Sequence, residues 1–154
     1  MDWDAQPSHT GAVTGPDENC SLVKAVELVG ERWTFLVLRE ALAGATRFSE
    51  FRARLGIASD VLAARLAKLV DSGLLARQSY REPGQRPRDG YCLTEAGRQV
   101  NLVLCALEQW GDEHLPDTVS KVVYRADDGR RVRVRFVDGE GAVVPAGDVH
   151  PDQG

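Results

Sequence analysis

Residues 48–73, FSEFRARLGIASDVLAARLAKLVDSG, decide how the chain folds. Ser49 stands where a helix N-cap is expected, ahead of a short helix Glu50–Leu55 whose inward residues are Phe51 and Leu55. Gly56 ends that helix. Ser59 is then placed to cap a second helix from Asp60 to Ser72, with Leu62, Leu66 and Leu69 on one face and Gly73 as the stop. Two short helices joined by a few residues that include a glycine describe a helix-turn-helix. Turning about 100° per residue sets Asp60, Ala63, Ala64, Ala67 and Lys68 opposite the leucine stripe.

Upstream, Leu22, Val23, Val26, Val29 and Trp33 recur at helical spacing from Ser21 onward. Gly30 breaks the pattern, and a more apolar helix resumes from Trp33 to Leu42 before Gly44. Downstream, Leu74–Tyr80 and Tyr91–Leu93 read as the strands of a hairpin. Pro83, Gly84 and Pro87 keep Arg86 and Arg88 on its long exposed tip. Thr94 caps a long helix that carries Val100, Val103, Leu107 and Trp110 and ends near Leu115. Short strands follow at Val119–Arg125, Arg131–Val137 and Ala142–Val144. In the second, Val132, Val134 and Phe136 alternate with Arg131, Arg133 and Arg135, so one face is apolar and needs a surface to lie on.

These elements imply an α+β protein in three parts: an acidic mobile arm at 1–19, a core at 20–116, and a small β-rich extension at 117–154. With 154 residues and 43% hydrophobic content the chain can bury one core. No apolar run reaches a membrane span and the first residues are acidic, which points to the cytoplasm. The net charge of −4 hides a basic patch: residues 47–88 hold nine bases against four acids. Trp3, in the arm, reads as an incidental contact, with an anchor on a partner subunit as the alternative.

Cys20, Cys92 and Cys105 lie far apart, with no metal-ligand spacing and no disulfide framework, so neither a metal nor a cofactor is expected. Cys92 and Cys105 read as packing residues. Cys20 precedes a helix start, where backbone N–H groups favour thiolate and Glu18 opposes it. His9, His114 and His150 provide no acid–base pair and no Gly-rich phosphate loop is present, which argues against an enzyme.

The order helix, helix, helix-turn-helix, Arg-tipped hairpin, long helix suits DNA: the second helix of the turn enters the major groove and the tip places arginines beside phosphates. Arg39 and Arg65 are open between phosphate contact and pairing with a neighbouring carboxylate such as Glu40. Trp33, Trp110 and Phe48 belong to the core or to a dimer interface, where an aromatic effector cleft can form.

The chain here resembles the HxlR-type winged-helix regulators, related to the MarR group. The matching residues are Cys20, Gly30-x-x-Trp33, Leu38-Arg39-Glu40-x-Leu42, Arg47-Phe48-Ser49-Glu50-Phe51, Leu62-x-x-Arg65-Leu66-x-x-Leu69, Ser72-Gly73-Leu74-Leu75, Pro87-Arg88-x-x-Tyr91-x-Leu93-Thr94 and Gly97. The resemblance implies a homodimeric regulator, expected to be a repressor of operator DNA, whose first and last long helices form the dimer interface. Its expected DNA-binding residues are Arg47, Ser59, Asp60, Ala63, Ala64, Arg65, Lys68, Arg86 and Arg88, with Val26, Trp33, Val103, Leu107 and Trp110 in the dimer or effector cleft. In several relatives the cysteine at the Cys20 position senses electrophiles or oxidants, and a small-molecule effector is the other expected route of release. Members of this family usually carry a base at the Asp60 position and polar residues at Ala63 and Ala64, so weak base-edge readout is expected here, with more weight on the wing and on DNA shape. The alternative is a winged-helix protein-interaction or ligand-sensing module with weak or no DNA binding.

Overall fold

The computed structural model describes residues 20–81, 83–84, 86–118 and 122–152. The acidic arm with Trp3, and the start of the strand expected at Val119, lie outside them. The helices are α1 (Ser21–Val29), α2 (Arg32–Leu42), α3 (Phe48–Leu55), α4 (Ser59–Asp71), α5 (Glu95–Gln99) and α6 (Asn101–His114). The strands are β1 (Leu75–Tyr80), β2 (Arg88–Leu93), β3 (Phe136–Val137) and β4 (Val143–Val144). No helix among the described residues is long and apolar enough to cross a membrane.

The leucine stripe of α4 builds the core. Leu62, Leu66 and Leu69 are completely buried, against Val37 and Leu38 of α2 and Phe51 of α3, with Leu75 and Leu104 closing the sides. Each such side chain contributes about 1.5–3 kcal/mol by leaving water. Gly56 ends α3 at φ 61° and Gly73 follows α4 at φ 74°, left-handed geometry that a side chain would strain.

The helix caps depart from the sequence reading. Ser49 lies inside α3, which starts one residue earlier behind Arg47. The role expected of Ser49 is taken by Glu50, whose carboxylate accepts the backbone N–H groups of Thr46 (2.8 Å) and Arg47 (2.9 Å). Ser59 is likewise the first residue of α4 and makes no cap bond; Ala58 occupies the capping position.

The hairpin is antiparallel, pairing Leu75 with Leu93 through to Tyr80 with Arg88. Arg88 therefore sits in the strand rather than on the tip, because the pairing runs three residues further than the Tyr91–Leu93 segment suggested. Thr94 does cap α5, accepting the Gly97 N–H at 3.1 Å while its hydroxyl donates to the Gly73 carbonyl at 2.6 Å. The single long helix expected after it is two: the chain tightens at Val100, whose carbonyl accepts from both Val103 and Leu104.

The C-terminal extension is less regular than its alternation implied. Among its described residues only Phe136–Val137 and Val143–Val144 pair as strands, with an isolated bridge from Arg125 to Arg131. Its central segment is held by α6 instead. The Gln109 carboxamide bonds both the N–H and the carbonyl of Val134 at 3.2 Å, Tyr124 donates to Glu108 at 2.9 Å, and Arg133 pairs with Glu113.

Gly97 is buried where a Cβ would stand 2.1 Å from the Leu74 carbonyl oxygen, which is backbone and cannot step aside. Gly97→Ala is expected to cost about 3 kcal/mol, at the upper end of overpacking penalties, read as a lowered urea midpoint with unchanged slope. A midpoint within error of wild type would show that α5 can move off β1 freely.

Candidate nucleic-acid interface

With its leucines buried, α4 turns Ser59, Asp60, Ala63 and Ala64 to solvent. This exposed strip offers one hydroxyl, one carboxylate and two methyl groups, and no cationic side chain. The two bases of the same helix lie to one side. Arg65 pairs with Glu31, and Lys68 reaches the same carboxylate at 3.2 Å and the Glu27 carbonyl at 3.0 Å. The Lys68 hydrogen bond and then the two cationic charges hold the Glu31 carboxyl below the usual range, so this contact opens only in acid below that range. Glu31 is a residue that sequence reasoning missed. It lies 34 positions from Arg65, and no local pattern could pair them.

Other cations of the basic patch are partly spoken for. Arg39, just ahead of the patch, bonds its neighbour Glu40 at 2.9 Å, and Arg54 within the patch lies 3.7 Å from the same carboxylate. Arg47 stacks over the Tyr80 ring at 4.8 Å, half-buried where α3 meets the hairpin. Arg77 lies 3.4 Å from Asp89 across the strands. Arg86 and Arg88 are exposed beside the hairpin tip, the first just before β2 and the second at its start.

The apolar residues expected at a dimer or effector cleft separate into two groups. Val26, Val103, Leu107 and Trp110 are each at least half exposed, as are Leu22 and Leu102. Trp33 is part-buried, packs on the core, and carries Arg32 over its ring at 5.4 Å. No residue of α1 is buried. At about 100° per residue, α6 divides its circumference: Leu104 faces the core, Cys105, Glu108, Gln109 and Glu113 face the extension, Val103 and Leu107 are uncovered, and Trp110 and His114 stand exposed at the edge of the extension.

Cys20 occupies the N-cap of α1 and is part-exposed. Its sulfur faces the backbone N–H groups of Val23 and Leu22, which pull the thiol below its ordinary value. Cys105 is buried and pushed up, first by burial and then by the nearby Glu108 charge. Cys92 is part-buried and points at the Ala76 carbonyl, 3.6 Å away. Among the described residues no cluster of His, Cys, Asp and Glu could hold a metal ion.

A buried-stripe helix presented beside an arginine-bearing hairpin defines a winged helix-turn-helix protein. The HxlR-like helix-turn-helix family model matches residues 28–119, and the chain belongs to that family. It is 48% identical over 99 residues to the HTH-type transcriptional regulator Rv3095 of Mycobacterium tuberculosis, covering 64% of this chain and 61% of that protein, so the likeness leaves over a third of that relative unmatched. An HTH-type regulator of Methanothermobacter thermautotrophicus is 41% identical over 105 residues, 67% of this chain and 79% of its own. These relatives are transcriptional regulators, not enzymes.

Among solved structures, PA1607, named as a candidate transcription factor, superposes with a TM-score of 0.73 at 33% identity over 89% of this chain and 96% of its own. PA1374 from Pseudomonas aeruginosa does so with 0.62 at 35%, over 88% and 92%. Spans of that extent reach past residue 118 into the C-terminal extension. The reduced transcriptional regulator YodB of Bacillus subtilis matches with 0.57 at 27%, over 65% of this chain and 98% of its own, and so leaves a third of this chain without a counterpart.

The depressed Cys20 thiol predicts that alkylation by iodoacetamide keeps its rate to lower pH than an ordinary thiol, whose midpoint lies near about 8.5. Cys20→Ser should remove this low-pH component, leaving the slow reaction of Cys92 and a silent Cys105. A wild-type midpoint at or above that of free cysteine would contradict the geometry.

Proposed function

We propose that the chain acts as a homodimer that binds operator DNA in the cytoplasm and represses transcription. The observation that carries the reading is the exposed strip Ser59, Asp60, Ala63 and Ala64, held outward by the buried leucines and flanked by the exposed Arg86 and Arg88. The strip enters the major groove, and Arg47, Arg86 and Arg88 meet phosphates. Arg65 and Lys68 contribute chiefly by fixing α4 through Glu31, and reach DNA only by exchanging that carboxylate for phosphate. Alanine methyls read thymine and little else, so sequence selection rests on the wing and on DNA deformability more than on base edges. The uncovered apolar residues of α1 and α6 support the dimer, since exposed Leu22, Val26, Val103, Leu107 and Trp110 are costly to leave in water.

Cys20 is proposed as the thiol through which oxidants or electrophiles release the DNA. Its increased acidity, set by the backbone N–H groups of Val23 and Leu22, and its place at the head of α1 support this. YodB has been solved both reduced and after diamide treatment, which shows that this fold is studied through thiol chemistry in that protein. A second reading, a winged-helix interaction or ligand-sensing module that binds DNA weakly, is favoured only by the donor-poor strip.

Gel shifts against the chain's own upstream region at several salt concentrations separate the two. Binding is expected, and Arg86→Ala with Arg88→Ala should weaken it on every sequence and lower the slope of log affinity against log salt by about four, two arginines being lost from each copy of the dimer. A chain that sediments as a monomer and ignores DNA at low salt sinks the regulator reading. Diamide is expected to weaken operator binding in wild type and not in Cys20→Ser; equal responses would remove Cys20 from the mechanism.

A further inference from the structure

Between α6 and the β3–β4 hairpin lies a cavity of about 490 Å³, within the range of small-molecule sites. One wall is aromatic and flat: the Trp110 and His114 rings stack 5.4 Å apart at 12°, and both line the space. The opposite wall is Phe136, Val143, Val144 and Pro145. A slot between a stacked aromatic pair and an apolar hairpin wall that includes Phe136 accepts a planar ring.

The polar groups at its edge decide the ligand's charge. Glu113 borders the cavity, but its carboxylate is engaged by Arg133. Gln109 borders it too, with both carboxamide atoms committed to Val134. His114 bonds the Trp110 carbonyl through Nδ1 at 3.0 Å, which leaves Nε2. Arg135 is exposed, gives Nη1 to the Val134 carbonyl at 3.1 Å, and has no carboxylate partner among the described residues. With Nδ1–H donating to that carbonyl, Nε2 of the neutral ring is an acceptor, so the group left to meet an anion is the Arg135 guanidinium, which matches a carboxylate.

We propose that this cavity is a binding site for a planar aromatic carboxylate, with Arg135 holding the carboxylate and Trp110 and Phe136 holding the ring. The site belongs to the extension, so it goes with the long form represented by PA1607 and PA1374 and not with the short form represented by YodB. It deepens the regulator reading and rests on it in one respect: an occupant touches Trp110 and His114, at the edge of the α6 face assigned to the partner copy, and so shifts how the two copies meet. The binding itself does not depend on DNA.

Calorimetry on the full chain, without DNA, tests the site with 2-naphthoate and its neutral counterpart 2-naphthylmethanol. The acid should bind saturably, one per chain, and the alcohol at least about tenfold more weakly, the loss of one charge-assisted contact. Arg135→Ala, an exposed change checked by circular dichroism, should bring the acid down to the level of the alcohol. Phe136→Ala should weaken both. The proposal is overturned if neither compound binds, as when a partner copy fills the slot, if acid and alcohol bind alike, or if Arg135→Ala leaves the acid unaffected. Failure to bind DNA would overturn the regulator reading while leaving this calorimetric result standing.

Discussion

The placement of α4 depends on three leucines that have no access to water. Once Leu62, Leu66 and Leu69 are seated on α2 and α3, the helix has no rotational freedom left, and the residues a half-turn away are committed to the surface. Exposed ion pairs add little stability by comparison. What the pairs around Glu31 add is direction: they join α4 to the junction between α1 and α2, so the orientation of α4 is referred to the helix that carries Cys20 at its head.

The same economy of surfaces governs α6. A helix of ordinary length divides its circumference among the core, the extension and an uncovered apolar face. The acidic overall charge fits this arrangement, because much of the basic patch is compensated internally at Glu31, Glu40 and Asp89 while Arg86 and Arg88 stay exposed. Net charge summed over the whole chain conceals where the free cations are.

Sequence patterns revealed the helix-turn-helix, the hairpin and the Thr94 cap, since each depends on neighbours a few positions apart. They misassigned the caps at Ser49 and Ser59, where hydroxyl residues fit the rule but Glu50 and the backbone did the work. They ran α5 and α6 together because apolar spacing continues through Val100 while the hydrogen bonding tightens there. The alternation at 131–137 implied an apolar face seated on a surface, yet Val132 and Phe136 stay about half exposed and the segment is held through the Val134 backbone by a helix side chain. For the interface, exposure of Ala63 and Ala64 was legible from periodicity, whereas the capture of Arg65 and Lys68 by Glu31 is a long-range contact that single-sequence patterns do not encode.

Gln109 shows how a helix can serve as the edge of a sheet. Its carboxamide presents the donor and acceptor of a peptide group at the right separation, and Val134 binds it as a strand binds its neighbour. With the Tyr124–Glu108 and Arg133–Glu113 contacts beside it, this side chain seats an extended segment on a helix that has no strand edge to offer. An appendage fastened in this way rests on the outward side of α6 and leaves the packing of α4 on α2 and α3 untouched.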